Sequence, residues 1–409
     1  MEPGALQTWI AWSLALGLVG LLLAAVGYQS LDPDSALYAR FSAQLAGQPI
    51  SRWIAPEWSG YSGREGLFRE HPVGLFVLPA WLTQLGYPAA QAAYQVNALY
   101  QVLTVVLFGA LAARFVSGVE ARALTWLLQL LPIAFAFRVR ANHEQAVLLC
   151  VLAAVYAVDR ARTRPEWLGL TTAALVGLVL VKGLFVLVGV AACAWLLLVR
   201  DRTDAAPASH RRTAWVGFAA ATVVAAAVAV AYEALYRHVT GESFAAVYMG
   251  RQLGIAAAPR SDWGPVYKLY NAFWYLARLL WFAFPWSLMA VATVWTERRT
   301  LLGVLRGRAR TDPRATCGDP GLAFTLGVVT LYVALFSLSD RKAERYIFPA
   351  YFFAGACGAV ASLRRWPAFR SLVERLDHVP WVVVGVWLGT VCLRIATGWL
   401  PRIKIWAPE

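Results

Sequence analysis

The sequence predicts an all-α, polytopic membrane protein of about eleven transmembrane helices. Of its 409 residues, 59% are hydrophobic and 15% charged, and the mean hydropathy of +0.55 lies well above what a water-exposed surface tolerates. The apolar residues also come in blocks of roughly 15 to 25, the length a helix needs to cross a ~30 Å hydrocarbon core. Strand-like alternating segments of about ten residues, the mark of a membrane barrel, are missing from the pattern. A formal charge of +14 on so apolar a chain fits basic loops on the cytoplasmic side better than a nucleic-acid surface, so no nucleic-acid partner is expected.

In chain order, spans are expected at 10–28, 90–115, 123–137, 145–158, 167–181, 184–199, 214–235, 273–295, 319–338, 346–363 and 380–399. The first block has no basic region before it and reads as a retained helix, not a signal peptide. With the N-terminus cytoplasmic, the loops 117–122, 159–166, 200–213, 296–318 and 364–379 are cytoplasmic and hold 1, 3, 4, 6 and 4 basic residues. That bias sets the orientation, although residues 1–9 carry no lysine or arginine. Cys150, Cys193, Cys317, Cys357 and Cys392 are scattered, four of them within apolar blocks, and read as packing residues.

Two loops, 29–89 and 236–272, are too long and too rich in aromatic and charged residues to be plain connectors, and both fall on the external side. The first should hold a surface helix, with Asp32 as N-cap, Pro33 at its first position, an apolar stripe of Leu37, Phe41 and Leu45, and Gly47 as terminator. Val73–Leu85 is short and contains Pro79, which suggests an interfacial or re-entrant piece. Asp34 falls in the first turn of the surface helix, with Tyr38 one turn along on the same face.

These residues carry a resemblance. Asp34-Ser35-Ala36-Leu37-Tyr38-Ala39 resembles the first-loop Asp-Glu-Ala-x-Tyr-Ala motif of the GT-C glycosyltransferases, in the branch of lipid A aminoarabinose transferases and protein O-mannosyltransferases. Phe68-Arg69-Glu70-His71-Pro72 is similar to that branch's Glu-Lys-Pro-Pro segment, and Val181-Lys182-Gly183 resembles its Thr-Lys-Gly break. The stretch from Phe336 to Lys342, with Tyr346-Ile347-Phe348-Pro349, resembles Phe-Ser-x-Ser-x-x-Lys-x-x-x-Tyr-Ile-x-Pro. The likeness runs over roughly residues 10–360. Ser35 stands in place of a glutamate, His71 of a lysine and Val73 of the second proline.

The resemblance implies inverting transfer of a sugar from a polyprenyl-phosphate carrier to a hydroxyl acceptor on a lipid, glycan or protein. It also implies a catalytic module over 1–363, with 364–409 as a cytoplasmic loop and last helix, and a bacterial inner membrane with an external site. Such chemistry needs a carboxylate to take the acceptor's proton and cations to stabilise the departing phosphate. Asp34 is the candidate base. The candidate phosphate ligands are Arg69, Lys182, Arg251, Lys342 and Arg345, with Arg251 and Lys342 foremost by resemblance; any one of them equally suits snorkelling to lipid headgroups. Tyr38, Glu70, His71, Asn142, His143 and Glu144 are candidate substrate ligands, the last three in a polar loop between spans that also reads as a solvated turn. No cofactor is implied; a divalent cation at Asp34, His143 and Glu144 is conceivable, but no ligand spacing supports it. Tyr248, Trp263, Tyr267, Tyr270, Trp274, Tyr275 and Trp281 fit an interfacial belt or stacking on sugar and isoprenoid. A lipid or lipid-linked sugar transporter is the alternative, but the hydropathy shows no internal repeat and the acidic residues gather in the first external loop, not at the midplane.

Overall fold

The computed structural model describes residues 32–58, 63–138, 140–203, 207–257, 264–305, 320–339 and 342–376. The expected first and last spans, 10–28 and 380–399, lie outside the described residues, as does Trp263. Within them the fold is helical, and the sole strand-like pairing is an isolated antiparallel bridge between Glu57 and Leu67. In chain order the helices are α1 (Pro33–Ala46), α2 (Gly74–Gln84), α3 (Ala89–Ala112), α4 (Gly118–Leu127), α5 (Pro132–Arg138), α6 (His143–Ala161), α7 (Leu168–Lys182) and α8 (Val186–Thr203). There follow α9 (Ala208–Thr240), α10 (Phe244–Ala257), α11 (Gly264–Phe282), α12 (Trp286–Leu305), α13 (Pro320–Ser337), α14 (Phe348–Arg365) and α15 (Pro367–Leu376).

Local chemistry explains where α1 begins and which way it faces. The Asp32 carboxylate accepts the Ser35 backbone N–H at 3.1 Å, Pro33 occupies the first turn and Gly47 ends the helix. The stripe of Leu37, Phe41 and Leu45 is fully covered: Phe41 packs 4.4 Å from Phe68 and 5.4 Å from Phe76, ring centre to ring centre. Thus α1 and α2 pack on one another and on the start of α3, fixing the first turn of α1 above the bundle. Gly74 then lets α2 press onto α7, since a Cβ there would meet the Leu180 carbonyl at 2.6 Å.

Five helical stretches among the described residues are long and apolar enough to cross a membrane: 89–112, 165–203, 208–240, 320–337 and 344–365. A sixth arises if the pair 266–282 and 286–298, bent by 119° around Pro285, counts as one. The protein is therefore an integral membrane protein. The stretch 165–203 holds two helices: Gly183 turns the chain at φ +57°, and Gly189 lies against Leu178 and Leu175, which requires the chain to double back. The expected span at 123–137 is broken, because Leu131-Pro132 separates α4 and a short 3-10 turn from α5. Helix α6 is continuous but carries His143, Glu144, Asp159 and Arg160 near its ends, which keeps it out of the apolar set.

The two ends of the bundle differ in kind. At one end Asp159, buried at the close of α6, accepts Arg114 Nε at 2.7 Å and Arg200 Nε at 2.9 Å, tying α3 and α8 to it. Nearby, Ser117 and Glu120 form a reciprocal cap on α4, and Arg364 Nε donates to Glu120 at 2.7 Å. Burial alone would raise the Glu120 carboxyl, yet the Arg364 hydrogen bond, the Ser117 backbone N–H and the Arg364 charge together hold it below its ordinary value. The opposite end carries α1, α2 and the starts of α3 and α6. There the candidate site lies.

Candidate active site

The first turn of α1 is locked to the start of α6 by a buried polar knot. Asn142 Nδ2 donates to Asp32 at 3.0 Å, and the Ala141 N–H donates to Ser35 Oγ at 3.1 Å. Ser35 Oγ itself lies 2.8 Å from Asp32 and 2.7 Å from the Asn142 amide oxygen, with one proton to serve both. A serine at position 35 thus replaces a charged side chain with a compact joint, and it sets the register between Asp34 and the His143-Glu144 pair. Asn142, expected to bind substrate, borders the cavity but has both amide atoms engaged in this joint.

A second lock holds Lys182. Tyr248 on α10 donates its hydroxyl proton to the Lys182 carbonyl at 3.0 Å and accepts the Leu184 N–H at 2.9 Å, clasping the chain on both sides of Gly183. Tyr248 is buried by this clasp and packs on Phe244 at 5.3 Å, so it is neither belt nor sugar platform; Tyr275 is likewise buried. The clasp fixes Lys182 at the break, where its ammonium lies 3.3 Å from Glu144 Oε1 and 4.7 Å from the centre of the Phe185 ring.

The two locks open onto one cavity of about 690 Å3, including its mouth. It brings together Asp34, Tyr38, Glu70, His71, Asn142, His143, Glu144, Lys182, Arg251 and Arg345, ten residues from separate parts of the sequence. Three further residues border it that sequence reasoning passed over: Phe185, Gln252 and Tyr346. Tyr346 stands in the Tyr-Ile-x-Pro stretch and Gln252 beside Arg251, so both were within reach of the motif reading. Phe185 belongs to the 3-10 turn after Lys182 and had no signal of its own.

The cavity's charges come in pairs. Asp34 Oδ2 accepts from Arg345, Glu144 from Lys182, and Glu70 Oε1 from Arg251 at 2.9 Å and from Arg64 at 2.6 Å. Asp34 and Arg345 stay partly open to the cavity, at 31% and 26% side-chain exposure, whereas Glu144 is buried and its Oε2 has no hydrogen-bond partner among the described residues. Between these pairs three rings meet edge-on: His143 is 4.6 Å from Tyr38 and 4.5 Å from His71, ring centre to ring centre. Burial, followed by the charge of Asp34, pushes the Tyr38 phenol well above its ordinary value, so it remains a hydrogen-bond donor across the physiological range.

Two expected phosphate ligands are not brought here. Arg69 pairs with Glu242 at 2.6 Å and faces a neighbouring cleft. Lys342 sits 4.0 Å over the Tyr270 ring and 4.7 Å over Tyr267, a cation–aromatic seat at the start of α11. Among the described residues no group of three or more His, Cys, Asp or Glu side chains is placed to hold a metal ion, and Asp34, His143 and Glu144 do not form one.

Residues 70–232 match the family of dolichyl-phosphate-mannose-protein mannosyltransferases. The fold matches the crystal structure of ArnT from Cupriavidus metallidurans bound to undecaprenyl phosphate, with a TM-score of 0.63 and 19% identity over 88% of this chain and 60% of that one. The apo state of the same protein matches with a TM-score of 0.62 and 18% identity over 90% of this chain and 62% of that one. The chain thus spans about 60% of the length of the structures it matches. No curated protein sequence matches it. The GT-C resemblance read from the four motifs is borne out in fold, and the mannosyltransferase family model matches the part of the chain from 70 to 232.

Proposed function

We propose that this GT-C-fold membrane protein is an inverting glycosyltransferase that takes a sugar from a polyprenyl-phosphate carrier and adds it to a hydroxyl-bearing lipid, glycan or protein. The observation that carries the reading is a single cavity holding an accessible carboxylate, Asp34, beside Lys182, Arg251 and Arg345. A base and several cations in one polar pocket suit a reaction in which a hydroxyl loses its proton while a phosphate gains charge. Residues 1–363 would form the catalytic module.

In the proposed reaction the acceptor oxygen attacks the anomeric carbon and its proton passes to Asp34. The bond from that carbon to the phosphate oxygen breaks, and the electron pair leaves with the polyprenyl phosphate. The departing phosphate gains one negative charge, which Arg251 and Lys182 offset, with His71 and the Tyr38 hydroxyl as further donors. A base of this kind contributes about 10²- to 10⁴-fold, and oriented donors to the leaving oxygen a similar factor. Glu144, with one buried oxygen that has no partner among the described residues, suits a sugar or acceptor hydroxyl.

The site lies at the end of the bundle away from the Arg114–Asp159–Arg200 and Glu120–Arg364 clusters. Positively charged loops favour the cytoplasm, which supports an external site, in a bacterium the periplasmic face of the inner membrane. A carrier already moved across the membrane then supplies a sugar that cytosolic nucleotide sugars cannot. Mass spectrometry of lipids and glycans from cells expressing the wild type or Asp34→Asn tests this. The reading expects a glycosylated species present with the first and missing with the second; identical profiles would oppose it.

A further inference from the structure

The long apolar helix α9 contains one acidic residue, Glu233, two turns before its end. At 33 residues α9 is about 50 Å long, so it outlasts a ~30 Å hydrocarbon core and carries its last turns beyond it. There Tyr232 and Tyr236 pack on Phe244, the first residue of α10, at 5.1 and 5.4 Å. Gly241 ends α9 in the left-handed conformation, φ +75°, and α10 begins three residues later.

Glu233 bridges this corner. Its side chain is 19% exposed; Oε2 accepts the Ala245 backbone N–H at 2.7 Å and Oε1 accepts the Ser243 hydroxyl at 2.7 Å. Ser243 Oγ accepts the Ala246 N–H at 3.0 Å, so a carboxylate from α9 and the local hydroxyl together cap the first turn of α10. A negative charge at that end is also favoured by the helix dipole. Arg237, itself well exposed, donates to the same carboxylate and orients it.

The helix so capped carries groups that shape the Asp34 cavity. Phe244, Tyr248 and Arg251 follow at i, i+4 and i+7 on one face. Phe244 seats the helix on α9, Tyr248 clasps the chain around Gly183, and Arg251 Nη1 meets Glu70 at 2.9 Å. Gln252 Nε2 adds a bond to the Glu70 carbonyl at 3.1 Å. Arg251 stands about 10 Å along the axis from Phe244, so a displaced first turn carries the guanidinium with it.

We infer that Glu233 is a positioning residue for the carrier phosphate: by capping α10 from the neighbouring helix, it holds Arg251 at the cavity. The inference rests on the reading of that cavity as the site of the carrier's phosphate. Glu233 acts through the backbone of α10, and a cap that served stability alone would leave carrier affinity indifferent to whether Arg251 is present.

The test titrates undecaprenyl phosphate onto the full chain in nanodiscs, with thermal melts on the same samples. Glu233→Ala should weaken binding by about tenfold, the scale of a lost cap expressed as affinity. Glu233→Gln, which keeps an acceptor for the Ala245 N–H, should fall between that variant and wild type. In an Arg251→Ala background, Glu233→Ala should cost less than about threefold, because the group it positions is gone. Ser243→Ala breaks the link between Glu233 and the first turn; it should show the same dependence on Arg251, and it carries the test if Glu233→Ala does not fold. Undiminished binding by the Glu233 and Ser243 variants, or equal losses with and without Arg251, would overturn the inference and leave the cavity reading standing. A wild type that does not bind the carrier, or binds it independently of Arg251, removes the cavity reading and the inference with it.

Discussion

Arg345 closes its guanidinium onto the carboxylate of Asp34, joining the turn before α14 to the first turn of α1 across more than three hundred residues of sequence. Both side chains remain partly exposed to the cavity, so the pair is an accessible latch and not a sealed structural bridge. One carboxylate oxygen is thereby oriented; in the proposed reaction the other would meet the acceptor hydroxyl, and an arriving donor phosphate would compete for the same arginine.

Arg345 should therefore act on turnover through Asp34. Arg345→Gln is expected to lower kcat by about 100-fold, the scale of misplacing a reacting group by an ångström. Arg345→Lys should recover part of it by restoring the charge without the fork. Steady-state kinetics check this; an unchanged kcat with a raised donor KM would move Arg345 from positioning to plain donor binding.

Arg251 and Lys342 stand level in the motif reading, yet the structure places only Arg251 at the cavity. Arg251→Ala should weaken undecaprenyl phosphate binding by at least about tenfold, the loss of one charge-assisted contact. Lys342→Met, which keeps the packing on Tyr270, should change it less than about threefold. Direct titration of the lipid phosphate decides; the reverse ranking would relocate the phosphate toward α11.

Tyr248→Phe removes both hydrogen bonds that clasp the chain around Gly183. The expected cost is about 1–3 kcal/mol of stability, since the Leu184 N–H and Lys182 carbonyl lose their partner. Because the break also aims Lys182, turnover should fall by more than stability alone explains. Thermal melts and kinetics on one preparation separate the two effects.

Gly358 lets α14 approach α12 so closely that a Cβ would run into the Trp286 carbonyl. Gly358→Ala should destabilise the bundle by about 1–3 kcal/mol through overpacking. A melting temperature equal to wild type would mean that the two helices part readily.

Glu120 gives a pH signature of folding. Its carboxyl is held below the ordinary value despite burial, by Arg364 and the Ser117 cap, so the folded state binds its proton less readily than the unfolded chain. The contribution is complete above the unfolded carboxyl value of about 4.3 and disappears as pH falls through the lower folded value. Melts should show wild type losing its advantage over Glu120→Gln on acidification, with a constant gap between them as the contrary result.

Much of this site is legible in the sequence. The cap at Asp32, the stripe on α1 and the break at Lys182-Gly183 are local features, set by residues within a turn or two of each other, and each appears where the pattern places it. Ten of the expected site residues also share one cavity: six fall within the four short motifs, while Asn142, His143 and Glu144 come from a polar turn between helices and Arg251 from the second long loop. Pairings across distance were not legible. Nothing near Arg345 in sequence says that it meets Asp34, and nothing near Arg69 directs it to Glu242 in a neighbouring cleft. The aromatic density after residue 240 had two readings and the structure supplied a third for Tyr248, a clasp on another helix's backbone. Hydropathy separates two spans at Gly183, but it runs a single span, 273–295, through Pro285, where the chain bends by 119°.

The central claim is that Asp34 removes the acceptor's proton. Its most direct test is single-turnover transfer by purified Asp34→Asn, with undecaprenyl phosphate affinity measured on the same sample. Transfer reduced by about 10²- to 10⁴-fold with carrier affinity intact is the predicted result. Transfer within a few-fold of wild type would contradict it.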